Sequence, residues 1–301
     1  MDDKHIFSVI IPHHNIPKLL WRCLNSIPDV PEVQVIVVDD NSSPDKVDFE
    51  HFPGLERQYT QCILDKEGGG AGHARNIGLR HADGEWLVFA DADDFFTPDA
   101  FQILNRHKDD SCDIILFKAD SVNSDDLSPS DRHLRINQAV DERLSGAITK
   151  REALISMPGP VCKLFRRQYI QKRNIQFDET MASNDMMFVA KATCWANNDA
   201  LAVSPEVVYI VTTRADSLMG NWKKDPENYL CRLEVMIRYH RFVMNDYPYL
   251  RKEPIIIILA KSWKYGIKTF FRALVLVLRK NALFYGFDIF LKIVNNHTLK
   301  L

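Results

Sequence analysis

Apolar residues along this chain fall into short continuous runs, separated by stretches whose apolar positions recur at helical spacing. Phe7–Pro12 (FSVIIP) is apolar and ends on proline, which reads as a buried strand. Over residues 17–27, Leu20, Cys23, Leu24 and Ile27 stand at helical spacing, with Pro17 at the first helical position. Val33–Val38 (VQVIVV) is a second buried strand and runs straight into Asp39-Asp40-Asn41-Ser42-Ser43. Ile63-Leu64 belongs to a third strand, Ala71–His81 is helical, and Trp86–Ala90 (WLVFA) is a strand ending at Asp91. Thr97-Pro98-Asp99 predicts a helix start: a Thr cap, then Pro, then an acid in the first turn. Asp113–Phe117 is strand-like, and residues 120–145, rich in Ser, Asp and Asn, read as a surface loop. Residues 184–213 return to helix and then strand, and from about residue 228 the pattern is helical.

Strands alternating with helices predict an α/β fold with a mostly parallel sheet flanked by helices on both faces. In such sheets ligands collect at the carboxyl ends of the strands. Two acidic clusters, at 39–40 and 91–94, stand where two strands end.

The chain has 301 residues, 46% hydrophobic and 26% charged, so a packed core is expected and wholesale disorder is not. The net charge of −2 argues for no particular partner, and no nucleic acid is expected, but its distribution is uneven. Arg251–Leu301 holds ten Lys/Arg against two Asp/Glu, a basic tail on an acidic body, which favours an anionic contact for the tail. The six cysteines show no CxxC pair and read as reduced, mostly buried thiols of a cytoplasmic protein. No secretory signal is read in the first residues, and no stretch approaches the ~18–20 apolar residues of a membrane span.

Several places carry candidate chemistry, each with two readings. Asp91-Ala92-Asp93-Asp94 crowds three carboxylates into four residues. It is either an acidic loop before a helix or an oxygen site for Mg²⁺ or Mn²⁺, which bind through one or two carboxylates plus substrate phosphates. Asp39-Asp40 is either an Asx-turn or a carboxylate that accepts hydrogen bonds from a nucleobase or ribose. Gly68-Gly69-Gly70-Ala71-Gly72 is either a flexible loop or a close-approach loop, and matches neither GxGxxG nor GxxxxGK[ST]. Arg75 and Asn76 follow it, Arg75 meeting either a phosphate or solvent. Asn184-Asp185 is either a helix N-cap or a general base at a helix start. Tyr209, Arg214 and Ser217 bracket a later strand end, where ordinary surface residues of a loop would also fit.

Together these pieces resemble the family-2 glycosyltransferases with the GT-A fold, over roughly residues 5–220. The resemblance rests on an ordered set: FSVIIPHHN at 7–15, VIVVDDNSS at 35–43, GHARNIGL at 72–79, GEWLVFADADDFFTPD at 84–99, KLFRR at 163–167 and ASNDMMF at 182–188. It implies a GT-A domain over residues 1–225, and the helical pattern beyond it marks a carboxy-terminal region over 226–301. It also implies that Pro12 and Asn15 lie where the first strand meets the nucleotide and that Asp40 reads the base. Asp91 and Asp93 match the DxD motif, Asp93 being the stronger ligand for Mn²⁺ or Mg²⁺. Arg75 and Asn76 match an Ala-Arg-Asn run, and Arg214 and Ser217 an Arg-x-x-Ser loop over the diphosphate. Asp185 matches the general base of a Glu-Asp pair whose first position here is Asn184. The Gln-x-x-Arg-Trp motif of processive synthases is absent from the sequence, which points to single addition.

The implied reaction is inverting transfer from a nucleotide-sugar donor, a UDP-sugar by expectation, to a saccharide or lipid-linked hydroxyl acceptor in surface polysaccharide assembly. Two alternatives are a nucleotidyltransferase on a similar sheet and a nucleotide-sugar binding module without catalysis. His13-His14-Asn15 argues against the first, where a Gly-rich basic loop is expected, and Asp185 with Asp91 and Asp93 against the second. The carboxy-terminal region has its own expectation. Lys261, Lys264, Lys268, Arg272 and Arg279 share one helical face, with Trp263, Ile267, Phe270, Phe271, Leu274 and Leu278 largely opposite. That is the pattern of a helix lying at an anionic membrane surface, or of a helix packed on its own domain with a solvated basic side.

Overall fold

The apolar runs do pair as strands. These are β1 (Phe7–His13), β2 (Val33–Asp40), β3 (Thr60–Asp65), β4 (Trp86–Phe89), β5 (Phe95–Phe96), β6 (Ile114–Asn123), β7 (Lys163–Arg166) and β8 (Leu201–Thr213). They form one sheet in the order β3-β2-β1-β4-β7-β6-β8-β5. The structure, a computed structural model, describes residues 5–214, 225–243, 253–283 and 285. By backbone proximity the chain divides into two units, Met1–Glu179 with Phe188–Arg214, and Thr180–Met187 with Ala215–Leu301.

In the first unit, β3, β2, β1 and β4 run parallel. Strand β7 then enters antiparallel to both β4 and β6, β8 returns parallel to β6, and β5 closes the edge antiparallel to β8. The sheet is therefore mixed. Because side chains alternate across a strand, β1 sends Phe7, Val9 and Ile11 into one core and Ile10 into another. The first core takes Leu20, Cys23 and Leu24 from helix α1 (Pro17–Asn25). The second takes Ala74 and Ile77 from α2 (Gly70–His81) and Phe188, Val189 and Ala192 from α7 (Met186–Trp195). Helix α2 lies close on the sheet: a Cβ added to Gly78 would sit 2.4 Å from Ile10 Cγ2. That approach fixes the height of α2 above β1.

Two expectations change here. The helix expected from Thr97 begins at Ala100 and is α3 (Ala100–Arg106). The Thr97 hydroxyl instead donates to the Val207 carbonyl and its N–H to the Val208 carbonyl, so Thr97 extends the β5–β8 pairing rather than capping. The polar stretch 120–145 is not a loop throughout. Strand β6 continues to Asn123 against β8, and α4 (Leu134–Leu144) follows. Alternation explains this: Ala119 and Ser121 point inward while Asp120 points out, and the buried Ser121 hydroxyl donates to the Ser130 carbonyl. Helices α5 (Lys150–Ser156), with a Thr149–Glu152 capping box, and α6 (Arg167–Lys172) flank β7 in sequence.

In the second unit, the described helices are Pro226–Val243, Ile255–Lys261 and Ile267–Arg279. The last two are not continuous. A 3₁₀ turn at Ser262–Tyr265 and Gly266 at φ 96° separate them, so Trp263 and the Ile267–Arg279 helix do not share one helical face. No helix among the described residues is long and apolar enough to cross a membrane. None of the six cysteines forms a disulfide; Cys23, Cys162 and Cys194 are buried, and Cys62, Cys112 and Cys231 half-buried. Burial raises the Cys62 thiol to about 11 and the Cys162 and Cys194 thiols to about 12. These thiols therefore stay protonated and are unsuited to nucleophilic chemistry.

Candidate active site

The carboxyl ends of the strands bring the acidic clusters into defined surroundings. Beyond β4 the chain turns at Asp91–Asp94, and ligand oxygens of Asp91, Asp93 and Asp94 all lie within 4.8 Å of one another. Uncompensated carboxylates that close repel strongly. The backbone is held in place from two elements. The Asp91 N–H donates to the Tyr209 hydroxyl at 2.9 Å, and the Thr212 hydroxyl donates to the Asp93 carbonyl at 2.9 Å, both from β8. The Thr212 N–H donates to Asp94 Oδ1 at 2.7 Å. From α1, Arg22 donates to the same Asp93 carbonyl at 2.7 Å and also to the Ser124 carbonyl and hydroxyl.

Two cations answer the carboxylates. Arg75, buried on α2 and lying over the Phe177 ring, pairs Nη2 with Asp91 Oδ1 at 2.6 Å. Arg214, just past β8, places Nε 3.5 Å from Asp93 Oδ2. Even so, burial and then repulsion from Asp91 raise the Asp93 carboxyl above the usual range, against the pull of Arg214. Asp94 is raised further, by burial and then by Asp91 and Asp93. Carboxylates destabilised in their charged form and supplied with oxygen atoms at this spacing fit a hard divalent cation.

A second group forms where β1, β2 and β3 end. Asp40 Oδ1 accepts the N–H groups of Gly69 and Gly70 at 2.7 and 3.1 Å, so Asp40 caps the entry of α2. Gly70 there has φ 80°, a backbone region that favours glycine. Asp39 is buried and bonds His13 Nδ1 at 2.7 Å and the Ser42 hydroxyl and N–H at 2.6 and 3.0 Å. Burial alone would raise the Asp39 carboxyl, but these hydrogen bonds outweigh it and hold it below its ordinary value. Asn15, at φ 60°, joins the loops after β1 and β2: its Oδ1 accepts the Ser43 N–H and its N–H donates to the Ser42 hydroxyl. Pro12 sits one residue before the end of β1, in register with Val38.

The structure thus gathers Arg75, Asp91, Asp93 and Arg214 in one cluster, and Asn15 and Asp40 at the ends of β1 and β2. Arg75 meets the Asp91 carboxylate rather than facing solvent. Tyr209 is fully buried, so its reading as a loop-surface residue is corrected. Asn76 is structural: its amide donates to the Phe177 carbonyl and to Glu179, and its carbonyl accepts the Phe177 N–H. Asp185 lies in the turn directly before α7. Ser217 lies outside the described residues. Asp94, Arg22 and Thr212 also carry the turn, and the sequence assigns Arg22 and Thr212 no role. Only the run of three acids hinted at Asp94, and nothing local pointed to Arg22, which is 71 residues from Asp93.

A model of glycosyl transferase family 2 matches residues 8–173, more than half of the chain. The chain belongs to this family. Among curated proteins it is similar to the poly(ribitol-phosphate) beta-N-acetylglucosaminyltransferase TarS of Staphylococcus aureus, 28% identical over 232 residues, 74% of this chain and 38% of TarS. It is also 25% identical to the poly(ribitol-phosphate) beta-glucosyltransferase of Bacillus spizizenii, over 76% of this chain and 36% of that protein. This family-2 chain therefore spans less than two fifths of the length of these relatives. Its fold matches the crystal structure of TarS residues 1–349 in complex with UDP-GlcNAc, with a TM-score of 0.67 at 23% identity, covering 92% of this chain and 83% of that one. A mannosyltransferase from Pyrobaculum calidifontis, in complex with GDP-Man and Mn²⁺, matches with a TM-score of 0.53 at 17% identity, over 92% and 77% of the two chains. The GT-A fold expected from the motifs is the fold of this family-2 chain.

Proposed function

We propose that this chain transfers a single sugar from a UDP-sugar to a hydroxyl of a cell-surface polymer or its lipid-linked precursor, with inversion. One observation carries the reading: three carboxylates within 4.8 Å of one another, flanked by Arg75 and Arg214 at the carboxyl end of β4, in a family-2 fold. The names of the curated relatives support a glucose or N-acetylglucosamine donor and a polyol-phosphate acceptor. Residues 1–225 would form the transferase domain, and 226–301 a separate helical region.

Asp93 and Asp94, with Asp91 shared with Arg75, would hold Mn²⁺ or Mg²⁺. When bound, that cation neutralises charge on the departing diphosphate. Arg214 adds a cation beside Asp93, where the diphosphate charge would develop in the transition state. Asp40, Asn15 and Pro12 shape the end of the sheet for the nucleoside; with Oδ1 of Asp40 committed to Gly69 and Gly70, its other oxygen serves the base or ribose. Asp185 takes the proton from the acceptor hydroxyl as that oxygen attacks the anomeric carbon.

The test is a donor screen that reads nucleoside diphosphate release with UDP-GlcNAc, UDP-glucose and GDP-mannose, with Mn²⁺ or chelator, and with or without poly(ribitol phosphate). Metal-dependent release stimulated by acceptor is the expected result. Tight donor binding with no release in any arm overturns transfer in favour of a binding module. Release of pyrophosphate from a nucleoside triphosphate with a sugar phosphate overturns it in favour of nucleotidyl transfer.

A further inference from the structure

The Ile267–Arg279 helix has three faces, where the sequence pattern predicts two. Thr269, Ala273 and Val277 point inward and are buried. At 3.6 residues per turn, Ile267, Phe271, Val275 and Leu278 form one stripe about a third of a turn or more away. All four are exposed, between 44% and 60%. Beside that stripe runs a row of cations, Lys268, Arg272 and Arg279, all exposed. The apolar groove here is lined by Lys268, Phe271, Arg272, Val275, Leu276 and Arg279. The preceding 3₁₀ turn adds Trp263, 58% exposed, and Lys264, whose Nζ lies 4.8 Å over the Tyr265 ring. The helix therefore buries Thr269, Ala273 and Val277 and presents the larger Ile267, Phe271 and Leu278 to solvent beside Val275. Burial against its own unit would favour the reverse, since large apolar side chains gain most from leaving water.

Charge identifies what covers the stripe. Between Glu253 and Asp288 there is no carboxylate, and there are six Lys/Arg. The acid that meets the cationic row from another helix is Glu227, which bonds Arg272 at its guanidinium. A second copy seated on this stripe would set Lys268 and Arg279 against their counterparts. A surface of anionic headgroups over hydrocarbon answers both the row and the stripe. We propose that Ile267, Phe271, Val275 and Leu278 insert into the interface of an anionic lipid bilayer, with Lys268, Arg272 and Arg279 at headgroup level. The proposal stands apart from the transfer reading, because it rests on a helix that carries none of the proposed donor-site residues.

Flotation of the full chain with unilamellar vesicles tests it, using phosphatidylglycerol mixed into phosphatidylcholine against phosphatidylcholine alone. The chain should float with the mixed vesicles and be released as salt rises. The K268Q/R279Q variant should bind about thirty-fold more weakly, from the loss of two cations near a charged surface. F271S/V275S should bind at least about tenfold more weakly, from the loss of apolar insertion. All four side chains are exposed, so both variants should keep the wild-type melting temperature. No flotation of the wild type, equal binding to neutral vesicles, or wild-type binding by either variant overturns the proposal. A dimer in sedimentation that F271S/V275S dissolves, with no vesicle binding, overturns it in favour of a second copy.

Discussion

Gly78→Ala is a small change with a consequence that can be worked from the contact it creates. Gly78 lies on α2 and faces β1, where its new methyl would stand 2.4 Å from Ile10 Cγ2 and 3.3 Å from Ile10 Cγ1. Ile10 is fully buried and sits in the second core with Ile36, Leu87 and Phe89. Ordinary carbon contact begins about 3.5 Å apart, so either Ile10 or α2 must give way by about 1 Å. Overpacking of this kind costs about 1–3 kcal/mol. The better helix propensity of Ala offsets up to about 1 kcal/mol. The net loss, between about 0 and 3 kcal/mol, lowers the melting temperature by up to roughly 12 °C for a domain of this size. Function should suffer more than stability, because Arg75 stands three residues earlier on the same helix and pairs with Asp91. A displacement of about 1 Å at reacting groups can cost on the order of 10²-fold in rate. Calorimetry and donor turnover read the two effects. Ile10→Leu, which moves the clashing methyl, should restore both in the double variant, and the cycle gives the coupling directly. Gly70→Ala is the control: its φ of 80° predicts strain of about 1–2 kcal/mol, but no atom lies within 4 Å of the added methyl. A Gly78→Ala protein as stable and as active as wild type would refute the close α2–β1 approach.

Other outcomes follow from the same geometry. Asp93→Asn should abolish the dependence of UDP affinity on Mn²⁺ in calorimetry, and equal wild-type affinity with and without chelator would remove the metal role. Asp40→Ala should weaken uridine and UDP alike, and should destabilise the protein by about 0.5–2 kcal/mol because Gly69 and Gly70 lose their acceptor. Asp39 titrates below its ordinary value when folded. Its stabilising share is therefore present above about pH 4 and is lost as pH falls through its folded value; Asp39→Asn should flatten that acid limb in urea titrations from pH about 5 to 2. Asp185→Asn should lose most of kcat, with donor affinity and melting temperature unchanged; near-normal turnover would reduce Asp185 to a helix cap, and a parallel fall in donor affinity would make it a ligand.

What was legible in the sequence was what is local. Strands β1, β2 and β4 are largely buried runs rich in Val, Ile, Leu and Phe, and such runs announce themselves without partners. Asp91 and Asp93 could be placed because they end such a run. Strand β7, only four residues long, could not be seen to enter antiparallel, since pairing direction depends on neighbours far along the chain. Residues 118–123 look polar because one side chain in two faces outward, and only the β8 partner shows that they are a strand. Thr97 has the chemistry of a cap, but a competing acceptor, the Val207 carbonyl, takes its hydroxyl. The three-faced helix was misread for a related reason: periodicity separates apolar from charged positions, but not apolar positions that are covered from those that are not.

The residues that hold the acidic turn explain why a short motif cannot define a site by itself. Asp91, Asp93 and Asp94 disfavour one another, and their carboxyls alone would drive the turn open. It stays closed because neutral and cationic groups grip its backbone: Tyr209 at the Asp91 N–H, Thr212 and Arg22 at the Asp93 carbonyl. Tyr209 and Thr212 lie 118 and 119 residues from the groups they hold. Burial drives the Tyr209 hydroxyl well above its ordinary pKa, so it stays protonated and neutral beside three acids. Holding carboxylates together through the main chain leaves their oxygens uncommitted, apart from the Asp94 oxygen on Thr212 and those facing Arg75 and Arg214. A turn braced in that way presents charge rather than hiding it, which is what a cation or a developing diphosphate requires of a preorganised site.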